Sequence, residues 1–178
     1  MGDIIKVLDK EFELYITETE IQERVVQMAG QISKDMKGLN PIFISILNGA
    51  FFFTSDLMKR LKFDCELSFV KISSYQGIES TGNAKTLIGL DENLQGRHIV
   101  LLDDIVDTGY TIHKLHEWLA EKNVASIRIA ALTVKREAMK INVPVEYIGF
   151  EVPNVFLVGY GLDYNKHGRN YTGIYKLI

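Results

Sequence analysis

Leu101-Leu-Asp-Asp-Ile-Val-Asp-Thr-Gly-Tyr-Thr111 is where chemistry-bearing side chains are densest along this sequence. Two adjacent carboxylates, Asp103 and Asp104, close an apolar run, and three residues later Asp107-Thr-Gly-x-Thr opens a helical pattern. A helix N-terminus offers free backbone N–H groups and a partial positive charge. Gly109 permits close backbone approach, and Thr108 and Thr111 add hydroxyl donors, so the segment forms a cradle for one phosphate. Carboxylates beside a phosphate repel it unless they serve something else, and paired acceptors suit a vicinal diol or a magnesium ion. A ligand with a phosphate, a ribose diol and a metal-chelating group satisfies all of these demands. Asp103 and Asp104 would then hold the sugar while Asp107 faces the reacting end. The same residues also suit a capped βα turn whose acidic side chains favour the helix dipole.

Two other acidic chemistries fit less well. A nucleotide-binding P-loop needs GxxxxGK[ST], and no glycine in this chain precedes a lysine. Aspartyl-phosphate chemistry wants its carboxylates two positions apart, whereas Asp104 and Asp107 are three apart. The chain has 178 residues and a net charge of -3, with 47% hydrophobic and 24% charged residues. That describes one ordinary α/β-sized domain with a real core, and offers no basic surplus for nucleic acid. Cys65 is the only cysteine, which excludes an internal disulfide or a thiolate zinc cage and fits a cytoplasmic home. No signal-peptide core and no membrane-spanning run is expected, because charges interrupt the first twenty residues and Asn48-Gly49 breaks the most apolar stretch.

The chemistry must be positioned by alternating elements. Ile21, Val25, Met28 and Ile32 recur at helical spacing behind a Thr19-x-x-Gln22 capping box and before Lys37-Gly38. Pro41 to Leu47 reads as a buried strand, followed by a tight loop and a helix through Leu61. Glu66 to Ser74 alternates, with Leu67, Phe69 and Ile72 among polar residues, as in a strand having one wetter face. Gln76 to Lys85 reads as a mobile loop hinged at Gly77 and Gly82. His98 to Leu102 is the strongest buried strand, with a polar turn over Asp103 to Gly109 and a helix from Thr111 to about Lys122. Ala125–Val134, Tyr147–Phe150 and Phe156–Tyr160 supply further strands. Strands alternating with helices imply a mainly parallel sheet covered on both faces, with ligands at the carboxyl ends of its strands.

Val100 to Thr111 resembles the phosphoribosyl pyrophosphate (PRPP) binding motif of type I phosphoribosyltransferases, and the chain from about Ile42 to Arg169 resembles the hypoxanthine-guanine phosphoribosyltransferase family. Leu47-Asn-Gly-Ala50 resembles the family's pyrophosphate loop and Ser74-Tyr75 the start of its closing lid. Val134-Lys-Arg136 and Phe156-Leu-Val-Gly-Tyr-Gly-Leu-Asp163 resemble its purine-binding segments. The resemblance implies a central mainly parallel sheet with a small hood from the two chain ends, about residues 1–16 and 150–178, in one domain spanning 1–178. It implies magnesium-dependent purine salvage, with transfer of 5-phosphoribosyl from PRPP to N9 of a 6-oxopurine, giving a nucleoside monophosphate (IMP or GMP) and pyrophosphate.

Residue by residue, it implies that Asp103 and Asp104 meet the ribose hydroxyls and a metal, and that Asp107, Thr108, Gly109, Tyr110 and Thr111 surround the 5-phosphate. Asp107 would also be the acid/base at purine N7. Lys135 would donate to the 6-oxo group and reject a 6-amino group. Phe156 would stack on the base, with Leu157 and Asp163 at its other edge. Asp163 would hold a second magnesium. Leu47, Asn48, Gly49 and Arg169 would meet pyrophosphate. Asn48 departs from the Lys or Arg of many relatives, and the family commonly has a cis peptide before it. Ser74 and Tyr75 would close the site against water. The family also implies a homodimer or homotetramer, without nucleic acid or membrane as partner. A PRPP-sensing regulator of the same fold and a xanthine-preferring transferase stand as alternatives. His113 and His116 read as helix surface, Gly159-Tyr-Gly161 as an incomplete dinucleotide loop, and Cys65 as buried and inert.

Overall fold

The computed structural model describes residues 3–72, the backbone of 86–88, and residues 93–178. Its first strands, β1 (Ile4–Val7) and β2 (Lys10–Ile16), form an antiparallel hairpin. Helix α1 (Glu18–Met36) follows at once. Thr17 caps it: its hydroxyl accepts from Glu20 N at 3.2 Å while Glu20 accepts from Thr17 N at 2.8 Å. The capping box therefore sits two residues before the one expected at Thr19 and Gln22, because a carboxylate, unlike an amide, also complements the positive helix end. Gln22 instead donates to Asp56 at 2.8 Å. The helix ends where expected, at Lys37 with Gly38 at φ +85°.

The main sheet runs β5-β4-β3-β6-β7-β8. Here β3 is Ile42–Leu47, β4 Glu66–Ile72, β5 Thr86–Ile88, β6 His98–Val106, β7 Ser126–Val134 and β8 Tyr147–Glu151. All pairs are parallel except β4 with β5. Strands buried on both faces need two apolar sides, and the run Ile42-Phe-Ile-Ser-Ile supplies them. Phe43, Val100, Leu102 and Leu132 meet α1 and α2 (Phe51–Met58) on one face. Ile44, Leu101 and Ile129 meet α3 (Tyr110–Ala120) through Ile112, Leu115 and Leu119 on the other. Arg24 of α1 covers carbonyls of the edge strand β8, donating to Ile148 O at 2.6 Å and Gly149 O at 2.8 Å.

In β4 the apolar residues that mark the strand are not its most buried ones. Val70 is the buried residue, and Leu67 and Phe69 are exposed. Parallel pairing puts Leu67 and Phe69 opposite Phe43 and Ser45, on the face where the short α2 does not reach over them. Of the three consecutive phenylalanines, Phe53 is buried in the core while Phe51 is exposed. Cys65 is half-buried rather than fully buried, and burial pushes its thiol up.

A second sheet, ordered β1-β2-β10-β9, unites the two chain ends, with β9 at Leu157–Val158 and β10 at Ile174–Leu177. The apolar run from Phe156 thus joins this hood and not the main sheet. Phe12 and Val158 form its small core. Among the described residues no helix is long and apolar enough to cross a membrane.

Candidate active site

The parallel strands bring Leu47, Val106, Val134 and Glu151 to one edge of the sheet, and the sequence-expected residues follow them there. Asp103 and Asp104 lie inside β6, not in a turn after it, because β7 keeps pairing with β6 through Val106. Just at their level the inward–outward alternation slips by one residue in both strands. Leu102 faces the α1 side, yet Ile105 does too and Val106 faces α3; in β7, Leu132 faces α1 and Val134 faces α3. Thr133, fully buried, donates its hydroxyl to Asp104 O at 2.8 Å at this slip.

Asp103 is only 5% exposed, and its Oδ1 accepts from Asp104 N at 3.0 Å. Burial, together with the adjacent Asp104 charge, holds the Asp103 carboxyl well above the usual carboxylate range. Burial also raises Asp104, opposed by hydrogen bonds from Asp103 and the backbone and by the charge of Arg169. Two adjacent carboxyls are thus crowded in a buried place, each favouring its protonated form, with the Arg169 charge reaching only Asp104 among the causes of their shifts.

Asp107, Thr108, Gly109 and Thr111, with Asp103, line a cavity of about 210 Å³. Gly109, at φ +83°, is the cap residue of α3; a Cβ there would lie 2.3 Å from Ile141 O. No side chain caps this helix and its first turn has no acidic residue, in contrast to α1 with Glu18, Glu20 and a complete box. The N–H groups at the start of α3 are thus left for an anion. Tyr110 is exposed on that first turn.

Lys135 follows β7, is 6% exposed, and donates Nζ to Asp107 Oδ2 at 3.0 Å. The structure therefore joins two residues that the sequence reading placed separately. A buried ammonium needs such a partner, and Asp107, with its side chain 44% exposed, supplies it from the open side.

On the opposite side, the Leu47–Asn48 peptide is cis. Gly49 lies against the Asp104 carboxylate, where a Cβ would be 1.8 Å from Oδ2. Gly161 of the hood meets the same loop: its Cβ would lie 1.9 Å from Gly49 O. Arg169 donates Nη1 to Gly161 O at 2.6 Å and pairs Nη2 with Asp163 Oδ1 at 2.7 Å. Asp163 Oδ2 accepts from Lys166 N at 2.6 Å. Phe156 is 44% exposed, its ring edge-on to Tyr164 at 5.8 Å and tilted on Phe12 at 6.4 Å. Leu157, next to it, is buried in the core. Ser74 and Tyr75, with the hinge glycines Gly77 and Gly82, lie outside the described residues.

The sequence reading missed a polar knot behind this edge. Tyr160 donates its hydroxyl to Asp56 Oδ2 at 2.7 Å, and Gln22 shares that oxygen. The usable signal was a bulky residue between two glycines at the end of a strand. His113 pairs with Glu117 at 3.4 Å on the α3 surface, and among the described residues no three acidic, histidine or cysteine side chains gather to hold a metal unaided.

Comparison with known proteins gives this geometry a context. A family model described as "phosphoribosyl transferase domain" matches residues 16–165. The hypoxanthine-guanine phosphoribosyltransferase of Streptococcus pneumoniae is 36% identical over 178 residues, covering 98% of this chain and 95% of its own. The hypoxanthine-guanine-xanthine phosphoribosyltransferase of Tritrichomonas foetus is 37% identical, covering 91% of this chain and 88% of its own. The crystal structure of a hypoxanthine phosphoribosyltransferase from Staphylococcus aureus superposes with a TM-score of 0.88 at 34% identity, covering 93% of this chain and 91% of that one.

Proposed function

The chain belongs to the phosphoribosyl transferase family, and from that premise we propose that it is a purine-salvage enzyme transferring 5-phosphoribosyl from PRPP to N9 of hypoxanthine or guanine, releasing pyrophosphate and IMP or GMP. The observation that carries the reading is the Lys135–Asp107 pair, 3.0 Å apart beside the uncapped start of α3. A 6-oxopurine presents an acceptor, O6, next to a proton-bearing N7. A donor and an acceptor held at hydrogen-bond distance from each other match that edge when the pair opens to receive it. Adenine would set its 6-amino donors against an ammonium that can only donate.

In this mechanism Asp107, Thr108, Gly109, Tyr110 and Thr111 hold the 5-phosphate, and Asp103 and Asp104 face the ribose hydroxyls. The N9 lone pair forms the new bond to C1 as the bond from C1 to pyrophosphate oxygen breaks, and the N7 proton passes to Asp107. Phe156 stacks on the base, with Leu157 and Asp163 at its far edge. Leu47, Asn48, Gly49 and Arg169 receive the pyrophosphate, and Ser74 and Tyr75 close over it.

The residues present fit magnesium, because two crowded carboxylates in a low-dielectric site are the hard oxygen donors such a cation prefers. Bound there, the ion would supply charge neutralisation at pyrophosphate, its remaining ligands coming from substrate oxygens. Asp163 has both oxygens engaged, so service to a second magnesium requires Arg169 to leave it for pyrophosphate. A cytoplasmic homodimer or homotetramer completes the reading.

The test is pyrophosphate release with PRPP and magnesium, in parallel reactions with hypoxanthine, guanine, xanthine, adenine or uracil. Release with a 6-oxopurine and none with adenine is expected, and xanthine turnover would widen the substrate range. Bound PRPP without release by any base would overturn the assignment.

A further inference from the structure

The two segments assigned above to pyrophosphate come from different sheets. One is the loop Leu47–Asn48–Gly49 ahead of α2; the other is the hood segment that carries Arg169, whose guanidinium donates to Gly161 O. They touch backbone to backbone, where a Cβ on Gly161 would lie 1.9 Å from Gly49 O. Their relative placement decides where Arg169 points, since its Nη1 rests on Gly161 O at 2.6 Å.

Tyr160, the residue before Gly161, is bolted to α2. It takes φ +48° between Gly159 at +96° and Gly161 at +101°, a left-handed conformation that disfavours a side chain. That path sends the side chain inward, where the residue is 3% exposed and the ring lies 5.7 Å from that of Phe52. The hydroxyl donates to Asp56 Oδ2 at 2.7 Å, an oxygen that also accepts from Gln22 at 2.8 Å, while Lys59 holds Oδ1 at 2.8 Å. Burial would raise Asp56, but the hydrogen bonds from Gln22, Lys59 and Tyr160 and the Lys59 charge outweigh it and keep the carboxyl low. Burial and the Asp56 acceptor drive the Tyr160 hydroxyl far up, so it remains a donor. Neither side chain lines the cavity beside α3.

We propose that Tyr160 and Asp56 are a positioning pair for pyrophosphate, locking the hood loop that carries Gly161 and Arg169 onto the helix that follows the Leu47–Gly49 loop. The inference rests on the transferase reading and adds to it a determinant that sets affinity for one half of PRPP. Loosening the lock moves Arg169 relative to Gly49; of the base-binding residues, Lys135 after β7 and Leu157, buried and paired with β10, keep their places, while Asp163, ion-paired with Arg169 at 2.7 Å, shifts with it and accounts for the small change expected for the base.

The experiment compares wild type, Tyr160→Phe and Asp56→Asn, with Tyr147→Phe as control. Tyr147 donates its hydroxyl to Asp35 at 3.0 Å at the start of β8, the opposite end of the sheet. Tyr160→Phe should raise KM for PRPP, and KM for pyrophosphate in the reverse reaction, by about fivefold, the loss of one net hydrogen bond. KM for hypoxanthine should stay within about twofold. Asp56→Asn keeps an acceptor oxygen and should give a smaller rise in the same direction; it also decides the matter if Tyr160→Phe does not fold. Tyr147→Phe should lower the melting temperature and move neither KM. The proposal is overturned if folded Tyr160→Phe or Asp56→Asn leaves the PRPP constant unchanged, if both substrates weaken together, or if Tyr147→Phe raises it equally. If wild type turns over no 6-oxopurine, the transferase reading itself fails, and calorimetric binding of PRPP to the same four proteins still decides the role of the pair.

Discussion

Replacing Asp107 by Asn separates the two tasks assigned to that carboxylate. Asn preserves shape and an acceptor oxygen but removes the charge that faces Lys135 Nζ at 3.0 Å and the capacity to take a proton. The stability cost can be worked from the geometry. A hydrogen bond between charged groups contributes about 1.5–3 kcal/mol. The Asp107 side chain is 44% exposed, so water screens part of this and the lower end applies. Because the amide oxygen still accepts, about 1 kcal/mol should be lost, which lowers the melting temperature of a chain this size by about 2–4 °C. The catalytic cost is larger, since loss of a positioned acid/base slows turnover by about 10²–10⁴-fold. PRPP binding, which relies on the open N–H groups of α3 and on Asp103, should change by less than about threefold. Scanning calorimetry, titration with PRPP and kcat with hypoxanthine read the three quantities independently. A kcat within about tenfold of wild type would refute the proton-transfer role. A loss of activity matched by an equal loss of PRPP affinity would show that the residue only binds.

Asp103→Asn should abolish or cripple turnover yet stabilise the metal-free protein. The folded Asp103 binds its proton more tightly than the unfolded chain does, so its contribution is fully present below the unfolded value of about 4 and is lost as pH rises through the raised folded value. The melting-temperature advantage of the variant in chelator should therefore be absent at low pH and grow upward, and a flat difference would contradict it. Gly161→Ala forces a Cβ to within 1.9 Å of Gly49 O at φ +101°, and should lower stability by about 2 kcal/mol or more in thermal denaturation. Gly30→Ala has nothing within 4 Å inside α1 and should instead raise stability by about 0.5–1 kcal/mol, so the two alanines should move the melting temperature in opposite directions.

The main sheet was legible because its strands carry apolar residues on both faces, as in Ile42-Phe-Ile-Ser-Ile and Ile99-Val-Leu-Leu102, a pattern that local reading captures. The left-handed Gly109 at the start of α3 was legible because the turn from Asp107 to Thr111 is a contiguous stretch of polar residues and glycine. The end of β6 was misjudged because the polarity of Asp103 and Asp104 suggests a turn, whereas pairing with β7 is a nonlocal fact. Exposure along β4 was not legible because it depends on the length of α2, which leaves Leu67 and Phe69 uncovered. The hood strands carry little signal of their own. Leu8, at φ +55° in the β1–β2 turn, is not a turn-forming residue type, and β9 is two residues long. The Tyr160–Asp56 bond joins positions 104 residues apart in the chain, beyond the reach of any local pattern.

The hood's strand order, β1-β2-β10-β9, bears on how the chain comes to be folded during its own synthesis. Every strand of the larger sheet has been made once Glu151 is in place, but β2 waits for Ile174–Leu177 before its second edge is paired. Until then β1 and β2 are a lone hairpin, a unit of marginal stability in water, with the apolar Phe12 not yet enclosed. During synthesis, the strand that carries Asp103 and Asp104 and the start of α3 precede the hood segment that carries Phe156 and Arg169. Strand β10, paired with β2 on one side and β9 on the other, is thus the fastener that joins the early hairpin to the late segment of the hood.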